Sequence, residues 1–210
     1  MIINRITAKD GVNVSIHLDN DETLIISGEV VLKFGLRKND VVSDEIYTAL
    51  LNENQKYKIK QSALNFLGRR IHSAYELKNK LRKKKFDSEL IDEVINSLKV
   101  SGLLNDKEFA DRFTAELLLR KKSGINKIKA ELIKRGIDRN IISNLLNSLD
   151  TGSNQVEQAK EIATKKLASL QKRIDDKLKL KQRVYSFLFS KGYDYDTINS
   201  VIGELFNPED

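Results

Sequence analysis

Through the first forty or so residues the chain alternates apolar and polar positions. Asn13-Val14-Ser15-Ile16-His17-Leu18 places an apolar side chain at every second residue, the period of a strand with one buried face. Ile2 to Ala8 is rich in β-branched residues, and Thr23 to Ile26 and Val30 to Phe34 continue that composition. Asp10-Gly11 and Asp19-Asn20-Asp21 supply turn chemistry between the runs. The pattern predicts a small antiparallel sheet of three or more strands. Residues 43–53 then change to a helical pattern, with Ser43 placed to cap it.

From about residue 58 the apolar positions repeat. Leu77, Leu81, Phe86, Leu90, Val94, Ile95 and Leu98 recur 51 positions later as Ile128, Leu132, Ile137, Ile141, Leu145, Leu146 and Leu149. A further shift of 56 gives Val184, Leu188, Tyr193, Thr197, Val201, Ile202 and Leu205. Thr197 breaks the series, and Ile198 beside it can take the position. Asp87, Asp138 and Asp194 follow the middle anchor each time, where a carboxylate can cap the next helix. Gly136 and Gly192 precede that anchor and suit a left-handed helix end. Lys85 stands there in the first repeat, so its helix end is expected to be built differently.

Each repeat also has an apolar helix upstream: Ala63, Leu64, Phe66 and Leu67; then Phe109, Phe113, Leu117 and Leu118; then Ala159, Ile162, Ala163, Leu167 and Leu170. Ser73-Ala74-Tyr75-Glu76 is a capping box, and Asn105-Asp106-Lys107-Glu108 resembles one. The third repeat has a longer polar insert, Gln171 to Lys181, between its first two helices. The predicted fold is mainly α. Three tandem three-helix repeats form an elongated curved array, preceded by a small antiparallel β module. The expected boundaries are 1–57 for the β-rich module with its short helix, then 58–104, 105–150 and 151–210 for the repeats.

Charge sharpens this picture. The chain of 210 residues has a formal net charge of +7. Residues 1–58 hold seven basic and nine acidic side chains, whereas 59–105 hold ten and five, and 106–150 ten and seven. The positive charge therefore concentrates in the first two repeats. Arg69, Arg70, Lys78, Lys80, Arg82, Lys83, Lys84 and Lys85 crowd the first. Arg120, Lys121, Lys122, Lys127, Lys129, Lys134 and Arg135 crowd corresponding positions of the second. Stacked repeats could align these into a stripe for a polyanionic partner. Lys and Arg are also favourable at helix C-termini and on solvated faces, which is the plainer account of each residue taken singly. Aromatic residues are sparse among these clusters, so phosphate contact is expected rather than base stacking or sequence reading.

Catalytic patterns are missing. With no cysteine, disulfides, thiolate metal sites and thiol nucleophiles are excluded. His17 and His72 have no metal-site spacing, no phosphate-cradling glycine loop is present, and Asp92-Glu93 and Asp175-Asp176 diverge on a helix. The expectation is a protein that is not an enzyme and needs no cofactor. No apolar run is long enough for a membrane span and the N-terminus lacks a signal-peptide layout, so the expected compartment is the cytoplasm.

Three segments resemble a known family. His72-Ser73-Ala74-Tyr75-Glu76-Leu77 is similar to the R-S-x-x-E-L element of the RecX regulatory proteins, with histidine where arginine is usual. Ser101-Gly102-Leu103-Leu104-Asn105-Asp106-Lys107-Glu108-Phe109-Ala110 resembles that family's link between repeats. Lys122-Ser123-Gly124 followed by Ile128 to Ile137 resembles the core of its second repeat. The resemblance implies three tandem three-helix repeats. It also implies a regulator that binds the RecA–DNA filament and inhibits its extension, ATPase, strand exchange and coprotease activity. The implied partner is the RecA nucleoprotein filament; from the residues themselves, single- or double-stranded DNA contacted through phosphates, no membrane and a monomeric chain are expected. No catalytic residue comes with it. The basic positions are candidates from charge alone. Two other functions fit the residues: a stand-alone DNA-binding protein with helix-turn-helix-like units, disfavoured by the 30 acidic side chains, and a general helical-repeat scaffold.

Overall fold

In the computed structural model, which describes residues 1–149 and 153–206, the chain opens with three strands. These are β1 (Ile3–Ala8), β2 (Asn13–Leu18) and β3 (Thr23–Ser27), paired antiparallel in the order β1-β2-β3. Ile6 pairs with Ile16 and Val14 with Ile26. The alternation read in the sequence is therefore the observed register, with Ile3, Ile16, Leu18, Leu24 and Ile26 buried on one face. Asp10 builds the first turn by accepting hydrogen bonds from the backbone N–H groups of Val12 and Asn13 at 2.8 and 2.7 Å. Those bonds stabilise its carboxylate and, with the Asn13 side-chain amide as the largest contributor, hold its pKa below the ordinary aspartate value.

Val30 to Phe34 is not a further strand. It lies in α1 (Gly28–Phe34), capped by the Ser27 side chain at the N–H of Glu29 and closed by Gly35 at φ +66°. A cap at each end overrides the β propensity of two valines, whose side chains reach the sheet core from a helix equally well. The helix predicted at 43–53 and the first helix of repeat one are a single element, α2 (Asp44–Leu67), capped by Ser43. Its first half buries Leu50 against the sheet and its second half buries Ile59 and Ala63 in the repeat core.

Asn54 lies between these halves, on the α2 face toward the sheet. It is buried, accepts from the Ser27 N–H at 3.0 Å and donates to the Ile25 carbonyl at 3.2 Å. Strand β3 lies at one side of the sheet, and these two bonds satisfy backbone groups on its outer edge. The β module is thereby fixed to the helix on which repeat one is built.

Repeat one continues with α3 (Ala74–Lys83) and α4 (Ser88–Val100). Leu77, Leu81, Ile91, Val94, Ile95, Leu98 and Leu104 fill its core. Residues 1–104 form one compact unit and 105–210 a second. The second contains α5 (Asp106–Leu119), α6 (Ile125–Lys134) and α7 (Arg139–Ser148), then α8 (Ser153–Gln171), α9 (Lys177–Lys191) and α10 (Tyr195–Phe206). The three aspartates cap as expected. Asp87 accepts from Glu89 N–H at 2.9 Å, Asp138 from Asn140 N–H at 2.8 Å and Asp194 from Thr197 N–H at 2.8 Å.

Three details of the repeat differ from the sequence expectation. Lys85 has φ +62°, beside +68° at Gly136 and +86° at Gly192, so all three second helices end in the same left-handed turn. The lysine occupies a conformation that glycine fits without strain. The core position of the third helix is Ile91, Ile142 and Ile198, one residue beyond Leu90, Ile141 and Thr197. Starting each helix at the aspartate cap turns that register inward. The polar insert of repeat three is also shorter than expected, because α9 begins at Lys177, capped by Asp176. Its first turn buries Leu180, which anchors the added length.

Candidate partner-binding surfaces

In the first unit the cations surround the ends of α3. At its start, the buried His72 is held between Arg70 and Lys80. Lysine can only donate, so its Nζ, 2.7 Å away, gives a hydrogen bond to Nε2. The proton on Nδ1 then goes to the Arg70 carbonyl at 2.9 Å. Burial depresses the pKa of His72, and the neighbouring Arg70 and Lys80 charges depress it further. Lys80 also lies 4.8 Å from the centre of the Phe66 ring. Arg70 pairs with Glu76 at 2.9 Å, and Lys78 pairs with Asp92 on α4.

One cation position recurs through the repeats. Lys84, Arg135 and Lys191 each precede the left-handed residue at the end of the second helix. Each also covers an aromatic ring: Lys84 lies 5.3 Å from Phe66, Arg135 4.0 Å from Phe113 and Lys191 5.7 Å from Phe187. A cation there meets both the helix C-terminus and the negative face of a ring. Arg135 also pairs with Glu131, which lowers the pKa of that glutamate. The aromatic residues among the basic clusters thus serve as seats for cations inside the fold.

In the second unit, repeats two and three meet through the backbone. Gly124 N–H donates to the Lys191 carbonyl at 2.9 Å, and Asn126 N–H donates to the Gly192 carbonyl at 3.1 Å. Tyr193 Oη donates to the Lys122 carbonyl at 3.0 Å, Lys191 Nζ to that of Lys121 at 3.0 Å and Lys127 Nζ to that of Ser190 at 3.3 Å. Burial, with a smaller contribution from the Glu161 charge, pushes the Tyr193 pKa up to about 12. Lys122 extends to Glu161 at 3.4 Å, and Lys121 to Glu116 at 3.5 Å.

Of the fifteen clustered cations read in the sequence, eight are thus engaged inside their own unit: Arg70, Lys78, Lys80, Lys84, Lys121, Lys122, Lys127 and Arg135. Arg69, Arg82, Lys83, Lys85, Arg120, Lys129 and Lys134 are exposed, and their side chains make no ion pair or hydrogen bond among the described residues. Arg82, Lys83 and Lys85 share the end of α3. Lys129 instead borders a cleft of about 530 Å³ between α6 and α7, with Ile133, Arg139 and Leu146 in its walls. The contact of Gly124 with the third repeat was missed from sequence. The signal was present as a glycine in the Lys122-Ser123-Gly124 motif at a helix start where serine or aspartate would ordinarily cap.

Comparison with known proteins gives three family-model matches in chain order. Residues 60–98 match the first three-helix domain of RecX, 105–146 the second and 153–202 the third. A regulatory protein RecX of Clostridium botulinum is 35% identical over 196 residues, covering 93% of this chain and 91% of its own. That of Clostridium perfringens strain 13 is also 35% identical with the same coverage, and that of Finegoldia magna is 29% identical over 97% of this chain and 99% of its own. Among solved structures, one titled as regulatory protein RecX superposes with a TM-score of 0.78 over 95% of this chain and 98% of its own, at 20% identity, a likeness of fold. RecX from Lactobacillus salivarius, 31% identical, superposes with a TM-score of 0.63 over 73% of this chain and 97% of its own.

Proposed function

This chain belongs to the RecX family, and on that premise we propose that it is a non-enzymatic regulator of the RecA recombinase. The observation that carries the reading is the ordered match of all three repeats to the three RecX domains, together with relatives at 35% identity named as regulatory proteins.

In this reading the chain binds the RecA–DNA filament as a monomer in the cytoplasm and limits filament growth, ATP hydrolysis, strand exchange and coprotease activity. A protein without catalytic groups can act only through differential affinity. It must bind the capped or opened state of the filament more tightly than the growing one. Of the clustered cations, those free among the described residues to make such contacts are Arg69, Arg82, Lys83 and Lys85 in the first unit and Arg120, Lys129 and Lys134 in the second. They would face acidic RecA surface or DNA phosphates, which need charge without base recognition. Among the described residues no helix is long and apolar enough to cross a membrane.

The reading is tested by RecA-mediated strand exchange with the purified chain added after filament assembly. Inhibition by the native chain, weakened by reversing Arg82, Lys83 and Lys85 to glutamate, is the expected result. Unchanged exchange at a severalfold excess of native chain over filament ends contradicts it.

A further inference from the structure

We propose that the segment 172–183 of the third repeat is a binding site for the sugar–phosphate backbone of a nucleic acid. It contains Lys172, Arg173, Lys177, Lys179, Lys181 and Arg183 against only Asp175 and Asp176. All six cations are exposed, and among the described residues only Lys179 has an ion-pair partner, Asp176 at 3.6 Å. The Asp176 carboxylate also accepts from the N–H groups of Leu178 and Lys179 at 2.9 and 3.2 Å, so it is committed to capping α9.

The segment is ordered by its apolar residues. Ile174 packs on the core of the third repeat and Leu180 is buried within it. The Arg173 and Ile174 N–H groups close the preceding turn on the Leu170 carbonyl at 2.9 and 3.0 Å. With those two side chains turned inward, the cations are left outside. Lys177 and Lys181 stand one helical turn apart, as do Lys179 and Arg183. Five cations in twelve residues have no ion-pair partner among the described residues, unlike the clusters of the first two repeats, where about half of the cations are engaged inside the fold.

The lysine content identifies the partner class. Protein interfaces are depleted of lysine in their cores, whereas nucleic-acid interfaces are strongly positive and polar. A second copy of this chain would bring like charges together. Phosphates need only a row of mobile cations, which lysines supply as point charges.

The test uses the full chain without RecA, so its outcome is independent of the regulatory reading. Binding to a labelled oligothymidine and to a labelled duplex is followed by fluorescence anisotropy from about 50 to about 200 mM salt. Five contacts give a log–log salt slope of about −3.5 for the single strand and about −4.5 for the duplex. Changing Lys172, Arg173, Lys177, Lys181 and Arg183 to alanine weakens binding to at least one of them about tenfold or more at low salt and flattens its slope. The same five positions as charge-retaining Lys↔Arg exchanges leave binding intact, and which ligand responds separates single-stranded from duplex backbone. Two results overturn the proposal: native and alanine chains binding both ligands alike, or neither ligand binding the native chain. Where the first of these results is found, a separate RecA assay in which the alanine chain no longer inhibits assigns the segment to an acidic protein surface.

Discussion

Gly124 and Gly192 pack backbone against backbone: a Cβ on Gly124 would fall 2.3 Å from the Gly192 carbonyl oxygen, and one on Gly192 would fall 2.4 Å from the Lys127 backbone nitrogen. No side chain fits at either position, because the opposing atoms are main chain and, at Gly192, also the Lys127 Cβ, none of which can rotate away. These two glycines join the second repeat to the third.

The first prediction follows from that contact. Gly124→Ala destabilises the chain by about 1–3 kcal/mol through overpacking. Gly203→Ala, in α10 with open space around its Cα, is stabilising by up to about 1 kcal/mol through helix propensity. Urea denaturation of the two variants beside the native chain checks both signs. Equal midpoints for Gly124→Ala and native would show that the joint tolerates a side chain.

Lys85→Gly is expected to stabilise the first unit by up to about 1 kcal/mol. It relieves a left-handed lysine at φ +62° at some cost in unfolded-state entropy. Thermal unfolding measures it. A lower melting temperature for the glycine variant would mean that the lysine side chain contributes more than its backbone costs.

Asn54→Ala leaves the Ser27 N–H and the Ile25 carbonyl without their side-chain partner and costs about 1–3 kcal/mol. The loss is local, so hydrogen exchange of the Ser27 amide accelerates before that of the repeat-one core. Unchanged protection at Ser27 would place the clamp elsewhere.

His72 sets a pH dependence. Its folded pKa lies below the ordinary value of 6.5 that it regains on unfolding. The unfolded chain therefore binds more protons in this window, and stability rises with pH. Stability is complete above about 7 and falls as pH drops through 6.5 toward the folded value, because protonation would bury a charge at His72 and set it beside Arg70 and Lys80. Denaturation midpoints of native chain and His72→Gln between pH 7 and 5 test this. The native slope should shrink in the variant, and an identical slope in both would trace it to another group.

Much of this fold was legible in the sequence because it rests on local rules. The β register follows from alternation at Val14, Ile16 and Leu18, and Asp87, Asp138 and Asp194 cap where their spacing placed them. What was not legible depends on distant partners or on a rule being broken. Lys85 hides a left-handed turn because lysine rarely adopts one. Asn54 reads as an ordinary polar helix residue until the edge of β3 lies against it. The charge clusters were visible, but charge alone does not separate Lys84, seated on Phe66, from Lys83, which is free. Five of the six cations of 172–183 fall in the stretch that reads as a polar insert, Gln171 to Lys181, and nothing in the pattern shows that Leu180 turns them outward.

The most direct measurement is steady-state ATP hydrolysis by RecA on long single-stranded DNA as this chain is titrated in. A regulator acting on filament growth lowers the rate at chain concentrations well below that of RecA, because each bound molecule affects many protomers. Undiminished hydrolysis at a severalfold molar excess over filament ends would contradict the account.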